Sequence, residues 1–193
     1  MTLTLIEPPA AEPVALADIK AFLKVEHDDE DALIGALVAA ARLHVEAAVR
    51  RLLVAQGWRL TLDAWPTASG PSGRLVEIPL GPVLEIASVA VLDADGVPVP
   101  LEASAWTAET AGIPARIHVR DAPAPGLPLG GIRIDYTAGY GDPADVPAPL
   151  VQAVRLLAAH WYEAREPVAF GGPATRVPET VTALIAPYRV LAL

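Results

Sequence analysis

The chain has 193 residues, of which 53% are hydrophobic and 19% charged, with a net charge of −9. That balance excludes a disordered polymer, allows a sizeable core in one domain or two small ones, and disfavours a surface that grips phosphate. The lack of cysteine excludes disulfides and thiolate metal sites.

In chain order, the first residues carry neither a basic region nor a long apolar run, so no signal peptide is expected. No apolar run reaches the roughly 18 residues of a membrane span, so no membrane partner is expected. Residues 1–13 are rich in proline and read as an extended arm. Residues 15–24 read as a short helix with Leu16, Ile19, Phe22 and Leu23 on one side. The acidic run from His27 to Asp31 lacks the glycine and alternating ligands of a calcium loop. It reads instead as the N-cap and first turn of the next helix.

That helix is expected over residues 29–53, where Leu33, Ile34, Leu37, Val38, Ala41, Val45, Val49 and Leu52 keep a helical period. Gly57 is its expected terminator. From Trp58 the period changes to two. Strands are expected at residues 58–62, 74–78, 86–92, 97–101, 104–108, 116–120 and 131–137. Loops are expected at 66–73 and 121–128. Asp95-Gly96 marks a hairpin, and Pro98 and Pro100 assign the strand that follows it to a sheet edge. Pro147 and Pro149 open a helix over residues 150–166, with Leu150, Val154, Leu157 and Trp161 on its apolar stripe and Pro167 as its stop. A short helix and tail close the chain from residue 178.

The fold class expected is α+β. Residues 14–56 and 146–193 form a helical bundle, and residues 57–145 form an inserted small antiparallel β module. The helical core would form where Ile34, Leu37, Val38, Ala41 and Val45 meet Leu150, Val154, Leu157 and Trp161.

The chemistry-bearing residues form no catalytic or metal pattern. His27, His44, His118 and His160 are scattered, and the His160/Glu163 pair reads as a satisfied polar edge. The sequence Ala138-Gly-Tyr-Gly141 fits neither phosphate-binding glycine pattern and reads as a strand-to-helix turn needing positive φ. No serine sits in a nucleophile elbow. No cofactor, metal site or catalytic residue is expected.

Several segments, in order, resemble the head–tail connector (adaptor) family of long-tailed bacteriophages and gene transfer agents. They are the segment from Val14 to Leu23, the acidic helix start at residues 29–34, the Ala-rich helix to Glu46, Trp58-Arg-Leu-Thr-Leu-Asp63, and the turn Ile78-Pro-Leu-Gly-Pro-Val83. The hairpin Val91 to Gly96, Tyr136-Thr-Ala-Gly-Tyr-Gly141 with the helix to Glu166, and Leu184-Ile-Ala-Pro-Tyr-Arg189 complete the set. The Gly- and Pro-rich link 167–176 has no counterpart in that pattern.

The resemblance implies a structural protein without enzymatic activity, located in the neck of a virion or phage-like particle assembled in the bacterial cytoplasm. It implies a ring, twelve-fold, on the portal protein and beneath it a stopper or tail-completion protein, with DNA passing through the bore unread. It also implies docking on the portal through Pro187, Tyr188, Arg189, Val190 and Leu191. The acidic balance suits such a bore, because few cations means little phosphate neutralisation. Two other readings stay open: a small carboxylate-based metal enzyme using His160, and a binding module that presents the loops of the β insertion.

Overall fold

The computed structural model describes residues 1–67, 69–70, 73–164 and 177–190, and the chain divides into two compact units. One, residues 1–10 and 55–140, is all strand and turn; the other, residues 11–54 and 141–193, carries the helices.

The β unit holds β1 (Thr2–Glu7), β2 (Gln56–Leu62), β3 (Ser69–Gly70), β4 (Gly73–Ile78), β5 (Val83–Leu92), β6 (Pro98–Pro100), β7 (Trp106–Glu109), β8 (Ala115–Val119) and β9 (Ile132–Ala138). They form two antiparallel sheets where the sequence suggested one. The five-stranded sheet runs β1-β2-β9-β5-β6 and the four-stranded sheet β3-β4-β8-β7. The short β3, inside the expected loop 66–73, pairs back on β4. β9 lies centrally, and Ile132, Ile134, Tyr136 and Ala138 are buried on alternate positions. Its rungs align Leu60, Ile134 and Val89, and then Trp58, Tyr136 and Ile86. On the half-buried alternate positions, Arg59 grips Asp135 directly opposite through two hydrogen bonds of 2.7 Å. That bond raises the Arg59 pKa above its ordinary value.

The expected arm 1–13 is corrected. Residues 2–7 are a strand paired with β2, because Thr, Leu and Ile alternate well enough to hydrogen-bond an open edge. Gly57 ends no helix; it lies in β2 beneath this edge strand, where a Cβ would come within 2.9 Å of the Glu7 Cβ. β6 is the opposite edge and carries both prolines.

The helical unit holds α1 (Leu16–Leu23), α2 (Asp31–Val49), α3 (Ala148–Glu163) and α4 (Glu179–Ile185). α2 is shorter than expected at both ends. Arg50 takes the left-handed cap at φ 56°, so Leu52 and Leu53 are buried but not helical. At the other end Asp28 and Asp31 do not cap; both receive the Lys20 ammonium, at 2.5 and 2.6 Å. α3 begins behind Pro147 as anticipated, while Arg165, Glu166 and Pro167 lie outside the described residues.

α2 bears on the membrane reading. By length and a mean hydropathy of 1.6 it matches a membrane span, although Arg42 and Glu46 break its apolar runs. Those two residues are buried. Arg42 donates to Glu12 at 2.8 and 3.3 Å and to Glu46 at 2.9 Å, and Glu46 accepts the Leu53 N–H at 2.9 Å. Burial pulls the Arg42 pKa down, but the bonds and charges of Glu12 and Glu46 outweigh it and leave the value raised.

The network predicts that Arg42→Met destabilises the protein by about 3 kcal/mol in chemical denaturation, since Glu46 is left buried and uncompensated. Adding Glu46→Gln recovers part of that loss, because a neutral amide still accepts the Leu53 N–H. A second prediction concerns Tyr136, whose buried hydroxyl has no hydrogen-bond partner among the described residues. Burial raises its pKa above the ordinary 10.0, so the folded form holds the proton after the unfolded form has lost it. That contribution is intact below pH 10 and declines as the pH rises beyond it. Tyr136→Phe should be neutral to about 1 kcal/mol stabilising at pH 7, and should flatten the alkaline loss in thermal melts from pH 8 to 11.

Candidate functional site

The segment expected to dock on a partner follows α4. Val181 and Ile185 bury α4, the chain turns through a 3-10 turn at Ala186–Tyr188, and it leaves extended at Arg189. The Val190 N–H then donates to the Val49 carbonyl at 3.0 Å, which satisfies an orphan group at the end of α2. Pro187 and Arg189 are exposed, Tyr188 and Val190 are half-buried, and Leu191 lies outside the described residues. The exposed pair therefore lies on a short stretch whose far end is tied down.

The residues expected to form the helical core fall into two classes. Ile34, Val38, Ala41, Val45, Leu150, Val154 and Leu157 are buried. Leu37 and Trp161 are half-buried at the margin of the α2–α3 contact, where Trp161 meets the His44 ring edge-on at 5.9 Å. Tyr162 donates to Glu30 at the start of α2, and the Arg155 guanidinium lies 5.9 Å from the centre of the Phe22 ring on α1. α3 thus touches α1 and α2 along most of its length.

The chemical candidates do not converge. His27 is exposed near Asp29, His44 faces Trp161, and His118 pairs across β8 with Thr107 and Leu75. His160 is not the satisfied polar edge expected of it: its Nε2 is buried with no partner among the described residues. Among the described residues no three His, Asp or Glu side chains could share a metal ion. A groove of about 530 Å³ beside α1 holds two carboxylates, Glu12 and Asp18, but Arg42 already engages Glu12. In the turn before α3, Gly139 and Gly141 adopt φ of 135° and 126°, and a Cβ at Gly141 would strike the Asp145 carboxylate. Asp145 closes a capping box with Asp142, so the turn is full.

Sequence reasoning did not find the Glu12–Arg42–Glu46 network. Its one local signal is the i,i+4 spacing of Arg42 and Glu46 inside an alanine-rich stripe.

No curated protein matches the chain. Residues 13–77 match the model of the phage gp6-like head-tail connector protein family. Among solved structures, a chain from the neck of an empty gene transfer agent (GTA) particle, computed with C6 symmetry, is 30% identical with a TM-score of 0.81. A chain from the virion of a native GTA particle is 30% identical with a TM-score of 0.80. One from the neck of a native GTA particle, computed with C12 symmetry, is 29% identical with a TM-score of 0.75. Each similarity covers 100% of this chain and 97% of the other. Identity at this level over the full length, joined to the matched family segment, leads to one statement: the chain belongs to the head–tail connector family.

Proposed function

We propose that this chain is a structural head–tail adaptor: one subunit of a ring in the neck of a phage-like particle, set between the portal and the tail or stopper, with DNA passing through its bore. The observation that carries the reading is the full-length similarity to GTA neck chains, in structures with sixfold and twelvefold symmetry. A net charge of −9 supports it, since a channel wall poor in cations releases few counterions from passing DNA and holds it weakly. The reading contains no catalytic step. Its partners are copies of the chain, the portal protein and a stopper or tail-completion protein.

Docking on the portal is assigned to Pro187, Tyr188, Arg189, Val190 and Leu191. Exposure of Pro187 and Arg189 supports the assignment, and the tie at Val190 orients the segment before it meets a partner. Deleting residues 187–193 should keep the circular dichroism spectrum and cost about 1 kcal/mol for the lost Val190–Val49 bond. The truncated chain should fail to co-sediment with portal rings. Co-sedimentation equal to that of the full chain would remove docking from this segment.

A further inference from the structure

α2 has a second apolar face. At 100° per residue, its buried positions Ile34, Val38, Ala41, Val45 and Val49 follow one side of the helix. Leu33, Ala36, Ala40, Leu43 and Ala47 follow the nearly opposite side, and all five are exposed. Their spacing of three, four, three and four residues is that of a helix-packing seam. Leu33 keeps 43% and Leu43 57% of its surface in water. No charged residue occupies the seam. A helix apolar on both sides is covered on both sides in its working state.

We infer that this outer seam of α2 is the contact through which one copy of the chain packs on the next in the ring. The inference rests on the ring reading above. A closed ring of identical subunits uses heterologous contacts, so the seam must meet a different patch on the next copy. The helical unit supplies one: α1 exposes Leu16, Ala17 and Ala21 along one side, with Leu16 at 38%. The sizes complement each other. Ala36, Ala40 and Ala47 leave room for a bulky side chain from the facing helix, and Leu16 is a side chain of that kind. The absence of charge on the seam argues against acidic or phosphate-bearing partners and for an apolar one.

The test uses the full chain with its portal ring. Wild-type protein should assemble a ring on the portal in negative stain. Leu43→Glu, a change at an exposed site, should keep the monomer's melting temperature and lower the number of portals bearing a complete ring at least tenfold. If that variant misfolds, Leu33→Lys takes its place. Because the chain has no cysteine, a mixture of Ala40→Cys and Ala21→Cys chains gives a background-free second readout. Oxidised rings should yield a disulfide-linked pair joining the two kinds of chain. Complete rings from Leu43→Glu together with no cross-link would overturn the inference and leave the ring reading standing. A variant that still rings but loses a neighbouring neck protein would also overturn it, by giving the seam to that protein. Failure of the wild type to form any ring would sink the adaptor reading itself, before the seam is tested.

Discussion

Everything in the helical unit depends on α2 and α3 covering each other's inner stripes. They are far apart in sequence, and all of the β unit except its N-terminal strand is threaded between them, so the contact must outweigh the closure of a long loop. Closure entropy grows only logarithmically with loop length, while burial of Ile34, Val38, Val45, Leu150, Val154 and Leu157 is worth on the order of 2 kcal/mol per side chain. The aliphatic contacts therefore win. Three aromatic contacts, Trp161 on His44, Tyr162 on Glu30 and Phe22 under Arg155, then fix how α3 lies against its neighbours.

The buried Arg42 adds specificity to that packing. A guanidinium with fixed donors accepts one arrangement of carboxylates, and here one comes from the segment leading into α1 and one from the next turn of α2. Glu46 in turn holds the main chain of Leu53, beyond the helix end. One charged cluster thus sets the chain's entry into the helical unit and its exit from α2.

What could be read from the sequence follows from how local each signal is. The stripes of α2 and α3, the alternation of β9 and the prolines of β6 are short-range patterns; the structure follows the last two and buries most of the stripes, leaving Leu37 and Trp161 half-buried and Leu33 exposed. The partition of the strands into two sheets depends on pairings such as Thr2 with Thr61 and Glu77 with Arg116, which no local period encodes. The N-terminal strand was missed because a proline-rich context masks six residues of good β-formers. The end of α2 was misplaced because its left-handed cap is Arg50, a residue type without preference for that conformation, and not the glycine seven positions on. Of the candidate site, the segment after α4 was legible only through family resemblance. Its tie to Val49 was not, because main-chain groups carry no sequence signature.

The two borders of the five-stranded sheet are chemically unequal. On the β6 side, Pro98 and Pro100 have no N–H to offer, which ends the ladder there. On the β1 side, the outward amides and carbonyls of Thr2–Glu7 meet no further strand among the described residues, and no proline or lysine interrupts them. The sheet therefore has a polarity: an additional strand finds a continuous ladder along β1 and an interrupted one along β6.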